Sequence, residues 1–179
     1  MSADVPSSPS GAQDGVLLGV DVGAARVGLA VSDGAGILAH PVATLARDEA
    51  GGTDLDQIAL EVQERGAVAV VVGLPRTLSG EEGLAARAAR RYAEALQRRL
   101  EVPVRLWDER LTTVDAHRVL RDSGVPGRSQ RGVVDQAAAV LILQSALEAR
   151  RAGRPVGAPT KQRKPRSRSS VARDAKDQP

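Results

Sequence analysis

The feature that most constrains this chain is a set of short, β-branched apolar runs, the later ones separated by segments of helical spacing. The run at 16–22 (VLLGVDV) ends at Gly23 and predicts a strand. A second strand is expected at 27–33 (VGLAVSD), followed by Asp33-Gly34 turn chemistry. A third, antiparallel strand is expected at 37–45, where Pro41 demands an edge or a bulge because it cannot donate to a ladder. The spacing then changes. Residues 55, 58, 59 and 62 are apolar at helical intervals and predict a helix over 55–64. The run at 68–73 (VAVVVG) is apolar throughout, as suits a central strand covered on both faces.

A long helix is expected over 81–100 with Leu84, Ala88, Ala95 and Leu96 inward, then a strand at 104–107 and a helix at 113–121. A basic loop follows at 124–132 (GVPGRSQRG), and a final helix at 133–151. A three-strand meander followed by alternating units makes an α/β domain, a mixed five-stranded sheet flanked by helices. Residues 1–14 read as a disordered leader, 15–153 as the domain and 154–179 as a disordered basic tail, each end being poor in large apolar residues.

Composition removes several chemistries. The chain has no Cys, which excludes disulfides, thiolate zinc sites and cysteine nucleophiles. Two histidines, His40 and His117, make a His-based metal site or a Ser-His-Asp triad improbable. With no Phe, one Trp and one Tyr, the core must be aliphatic, and stacking of bases on aromatic platforms is largely excluded. Contact with nucleic acid would therefore run through phosphates. The start of the chain lacks the basic and apolar regions of a signal peptide, and no apolar run approaches a membrane span. A cytoplasmic protein without membrane partners is expected. The net charge of +3 divides unevenly: residues 154–179 carry +6, residues 1–14 carry −2, and the middle is near neutral. The tail can attract phosphate backbones without choosing a sequence, or merely aid solubility.

Three acids stand out. Asp21 lies near the end of a buried strand, where a carboxylate is unfavourable unless it is paired or binds a cation. A turn-capping role is the plainer alternative. Asp108-Glu109 follows the 104–107 strand, and the carboxyl ends of strands are where α/β sheets bind ligands. There the alternative is capping by Thr112 or Thr113, with Arg110 paired to an acid. Asp135 sits in the first turn of the last helix, where the macrodipole favours an acid in any case. Three carboxylates on three elements suit Mg²⁺ or a similar hard cation. Two such ions can support phosphodiester hydrolysis without a Lys, His or Cys nucleophile.

The blocks LGVDVGAARVGLAVSD (18–33), VVGLPRTLSGEEG (71–83), DERLTT (108–113) and VDQAAAVLILQ (134–144) occur in an order that resembles the YqgF/RuvX family. Its members are described as Holliday junction resolvases and as pre-16S rRNA nucleases with an RNase H-like fold. The resemblance implies that Asp21, Glu109 and Asp135 hold one or two Mg²⁺ or Mn²⁺ ions and carry catalysis. It raises Asp135 from a helix cap to a ligand. It also makes Arg26, Arg76, Arg128 and Arg131 candidates for substrate phosphate. The implied partner is nucleic acid, structured RNA first and branched DNA second, met on ribosomal precursor particles, with the protein a monomer or homodimer. Two other readings compete. The Asp21-x-Gly23 strand pair also suits actin-like ATPases, for which the chain is too short. A non-catalytic RNA-binding assembly factor would keep the fold and the tail while cleaving nothing.

Overall fold

The computed structural model describes residues 15–77, 79–111 and 128–160, with side chains from Val134 onward in the last helix. The strands β1 (Leu17–Val22), β2 (Arg26–Ser32) and β3 (Ala39–Ala46) form the expected meander. Helix α1 (Thr53–Glu64), strand β4 (Ala69–Leu74), helix α2 (Leu84–Gln97) and strand β5 (Val104–Asp108) follow. A single 3-10 turn covers Glu109–Leu111, and helix α3 (Arg128–Arg151) and strand β6 (Ala158–Pro159) complete the order. The helix expected at 113–121 and residues 124–127 of the expected basic loop lie outside the described residues.

The sheet order is β3-β2-β1-β4-β5-β6. Strands β1, β4 and β5 run parallel, and β2, β3 and β6 join antiparallel. The three parallel strands thus deliver their carboxyl ends, at Val22, Leu74 and Asp108, to one end of the sheet. Pro41 takes both of its expected roles, since β3 is an edge strand and its register with β2 slips between Leu29 and Ala30.

Each face of the sheet has its own core. On one, Leu18, Val20, Val70, Val72 and Leu106 meet Leu55 and Ile58 of α1 and Ala89, Tyr92 and Leu96 of α2. On the other, Leu17, Ala30, Ala69, Val71 and Trp107 meet Ala139, Ile142, Leu143 and Leu147 of α3. Burying each Leu, Ile or Val this fully stabilises the fold by about 1.5–3 kcal/mol. None of the described helices is long and apolar enough to cross a membrane.

The side under α3 is floored by small residues, and glycine explains why. A Cβ on Gly19 would stand 2.7 Å from Cβ of Leu143, and one on Gly28 would overlap the backbone carbonyl of Asp135. On Gly73 it would lie 2.5 Å from Cδ1 of Ile142. Helix α3 therefore lies directly on the sheet backbone, a close approach that only glycine permits.

Four expectations need correction. Leu84 is 81% exposed, and the buried stripe of α2 is Ala86, Ala89, Tyr92, Ala93 and Leu96. The 20-residue window contained enough alanine for two phases to look plausible, and the Tyr92 anchor decided between them. The last helix starts at Arg128, not Val133, so Gly132 is helical and the expected loop is shorter at that end. The sheet has six strands rather than five. The sixth arises at 158–159, inside the stretch expected to be tail, where Thr160 is buried and donates its amide to the Val104 carbonyl. Residues 1–14 and 161–179 lie outside the described residues.

Candidate active site

Asp21 is the penultimate residue of β1 and shares the α3-facing side with Leu17 and Gly19, because side chains alternate along a strand. Its register partner on β2 is Gly28, the residue on which the first described turns of α3 rest. A side chain on β2 at that point would hold α3 away. Its absence lets the helix set Asp135 beside Asp21. The consequence is electrostatic: burial first, and the Asp135 charge second, push the Asp21 carboxyl up to about 6. Nothing among the described residues pulls it back down.

Asp135 is held differently. Arg26, at the start of β2, donates from Nε to Asp135 Oδ2 at 2.7 Å, and both side chains remain partly exposed. Next along the helix, Gln136 donates to the Thr44 hydroxyl at 3.2 Å, which ties the same turn of α3 to β3. Arg26 is thus engaged with an acid of the same site.

Glu109 opens the 3-10 turn after β5. Its Oε1 sits over Gly73, where a Cβ would approach it to 2.6 Å, so the two strand ends β4 and β5 and the side chain of Ile142 frame this carboxylate. Its neighbour Asp108 is occupied by Arg110, whose Nη2 reaches Asp108 Oδ2 at 2.7 Å and whose amide reaches Oδ1 at 3.0 Å. Those contacts, Arg110 foremost, hold the Asp108 carboxyl below the usual range. The pairing of Arg110 with an acid was one of the two readings open for this cluster, and Asp108 is the acid concerned. Arg76 follows the β4 end and donates to Glu82 Oε1 at 3.1 Å. Glu82 is also gripped by Arg90 through two contacts, and these arginines hold its carboxyl low. Arg128 and Arg131 belong to the first turns of α3, and their side chains lie outside the described ones.

The structure therefore brings Asp21 and Asp135 together and places Glu109 at the end of β5, two strands from β1, with its carboxylate over Gly73 of the intervening β4. Among the described residues, no group of three acids gathers closely enough to count as a metal centre. Sequence reasoning missed the Arg26–Asp135 pair, whose members are 109 residues apart, and the role of Gly28 and Gly73. A signal for the glycines existed: glycine inside an apolar strand marks close approach by another backbone or a ligand.

A mixed sheet with acids at the ends of its parallel strands and a helix packed on its glycine-floored face has an RNase H-like architecture. The solved structure of Thermus thermophilus RuvC in complex with a Holliday junction substrate is similar, with a TM-score of 0.51 over 81% of this chain and 99% of that one. At 16% identity the likeness is one of fold. The family model RuvX, described as Holliday junction resolvase, matches residues 15–149, and the chain belongs to that family. A Frankia casuarinae protein named "Putative pre-16S rRNA nuclease" is 59% identical over 76% of this chain and 68% of its own length. One of the same name from Kineococcus radiotolerans is 52% identical over 86% and 85%.

Proposed function

We propose that this protein is a cytoplasmic, metal-dependent endonuclease that hydrolyses phosphodiester bonds during 5′-end maturation of pre-16S rRNA. The observation that carries the reading is Asp21, a half-buried carboxylate at the end of β1 pushed up to about 6 beside a second carboxylate, on a chain of the RuvX family. Such a pair is unfavourable by itself and favourable around a cation. The donor set fits: it is all oxygen, from a sequence with no Cys, and Mg²⁺ takes one or two carboxylates and leaves its other positions to water and substrate phosphate. When bound, Mg²⁺ or Mn²⁺, as one or two ions, supplies Lewis-acid stabilisation of charge on the phosphoryl oxygens.

The chain's own residues then divide the work. Asp21 and Asp135 hold the cation side of the site, with Glu109 as the third carboxylate at the β5 end. Arg26 fixes the orientation of Asp135 through its 2.7 Å bond, and this makes it a positioning residue. Arg76 lies beside the β4 end, paired with Glu82, so substrate phosphate would have to compete with that acid for it, and Arg128 and Arg131 belong to the start of α3. The domain of 15–153 with flanking tails remains the organisation we favour, its far limit moved to Thr160 by β6.

The test is cleavage of a 16S precursor transcript by wild type and by Asp21→Asn, each with Mg²⁺ or EDTA. Loss of cleavage in both the variant and the chelated sample is expected; a product that persists in either would sink the reading. The family's description favours a second reading, resolution of branched DNA. That reading requires a symmetric dimer on a four-way junction, so the same assay with a junction, alongside sedimentation, separates the two. A non-catalytic assembly factor would bind precursor particles and cleave neither.

A further inference from the structure

At the outer edge of the same sheet end lies an opening of about 460 Å³. Leu74, Leu106, Leu111 and Ala158 supply apolar walls, Arg90, Asp108 and Arg154 add charged groups, and Trp107 and Arg76 carry two unpaired donors. Trp107 is 3% exposed, and its indole N–H finds no acceptor among the described residues. The Nε of Arg76 is buried and equally without a hydrogen bond. The carboxylate oxygen paired with it, Asp108 Oδ2, is 3.9 Å away, beyond hydrogen-bond range. Buried donors are almost always satisfied, so two orphans on residues that line one opening point to a ligand that brings acceptors once the side chains turn to meet it.

The required ligand is unusual in combining in-plane acceptors with apolar faces. Phosphate alone would satisfy the donors and leave the walls bare. An aliphatic group would do the reverse. A nucleobase does both, since its ring carbonyls and nitrogens accept at the edge while its faces are apolar. The opening is also in the right place. Leu74 and Asp108 line it as register partners, and their immediate neighbours Gly73 and Glu109 belong to the candidate active site.

We propose that this opening receives one unpaired nucleobase of the substrate beside the scissile phosphate, with Trp107 Nε1 and Arg76 Nε donating to its acceptor edge. The proposal rests on the nuclease reading and sharpens it: the substrate must present an extrahelical or single-stranded nucleotide at the cleavage position. A base already free of its stack enters at the least cost, so a perfect duplex is a poor substrate. Recognition here is by edge donation from a buried indole, which needs no exposed aromatic platform.

Trp107 is the sole tryptophan, so its emission reports on the opening directly. The intact protein is titrated with a short single-stranded RNA, with nucleoside monophosphates and with inorganic phosphate, while anisotropy follows RNA binding independently. Saturable change in Trp107 emission with RNA and nucleotide, and none with phosphate, is expected. Trp107→Phe keeps a ring in the core and removes the donor. It should weaken RNA binding by roughly three- to ten-fold, the share of one hydrogen bond, and an abasic nucleotide at the cleavage position should erase that difference. Leu111→Asp, on an exposed wall residue whose replacement leaves the core alone, should abolish the emission change. RNA that binds by anisotropy while Trp107 emission stays constant would overturn the base pocket and leave the nuclease reading standing. An emission change driven equally by inorganic phosphate, or untouched by Leu111→Asp, would overturn it too. RNA that neither binds nor is cut would overturn both.

Discussion

Two carboxylates, the half-buried Asp21 and the buried Asp54, lie on opposite faces of one sheet, and the chain treats them differently. Asp54, in the first turn of α1, is 2% exposed and receives the Tyr92 hydroxyl at 3.0 Å on Oδ2, with Arg47 Nε 3.6 Å from the same oxygen. The Arg47 guanidinium in turn lies 4.8 Å from the centre of the Tyr92 ring. Burial and the Asp54 carboxylate push the Tyr92 hydroxyl far up, so it stays a donor at every physiological pH. Asp21 has none of this. Its close charged neighbour is another acid, and it carries the cost of burial without compensation. One acid is paired through its Oδ2, which ties α1 to α2, although its Oδ1 finds no hydrogen bond among the described residues. The other is left unsolved at a strand end, where ligands bind. A buried acid alone is weak evidence of function; a buried acid that the protein declines to neutralise is much stronger.

The comparison can be broken in a definite order. Asp21→Asn should lower cleavage by at least about a hundred-fold, since a ligand to the cation is worth several kcal/mol of charge stabilisation. Asp54→Ala should leave cleavage by the folded protein near wild type, yet lower unfolding free energy by about 2–4 kcal/mol in urea, because the Tyr92 hydroxyl loses its acceptor and Arg47 loses one of its acid partners. If Asp54→Ala cleaved no RNA while folded, the division between the two acids would be wrong.

The third test concerns sign. The Asp21 carboxyl is pushed up from 3.8 to about 6, so the folded state prefers the protonated acid. Its penalty is absent below about pH 4, grows as pH rises between 4 and 6, and is complete above that. In metal-free protein, Asp21→Asn should therefore raise stability at pH 7.5 by on the order of 2–3 kcal/mol, and the gain should vanish at pH 4. Thermal melts at both values, with EDTA present, read it directly. Adding Mg²⁺ should stabilise wild type and leave the variant unmoved. A smaller effect follows from Gly28→Ala, whose methyl group meets the Asp135 carbonyl. About 1–3 kcal/mol of stability should be lost, together with cleavage, as α3 lifts from the sheet. Smallest of all, Tyr92→Phe should cost about 1 kcal/mol and no activity.

Much of this was legible in the chain. The strands at β1, β2, β4 and β5 announced themselves because short β-branched runs have few other uses, and Pro41 foretold its own bulge. Asp21 and Glu109 stood out on position alone. Asp135 did not: at the start of a helix its dipole role hid any other, and only resemblance raised it. What stayed hidden was pairwise and distant. No local pattern couples Arg26 to Asp135 or Tyr92 to Asp54, since those contacts exist only once the sheet has brought helices from separate parts of the chain together. The phase of α2 was misread for a related reason, since alanine is at home on either side of a helix and Leu84 misled by its size.

The two residues of β6 have a consequence out of proportion to their number. They pair with Arg105 and Leu106 and so close the outer flank of β5, which would otherwise present a row of free backbone donors and acceptors. An open flank of that kind invites a second molecule to add its own strand. A chain trimmed at Gly153 would keep every acid of the site and yet be prone to stick to its own copies. The hazard sits on the outer flank of β5, and a short selvedge of backbone is what covers part of it.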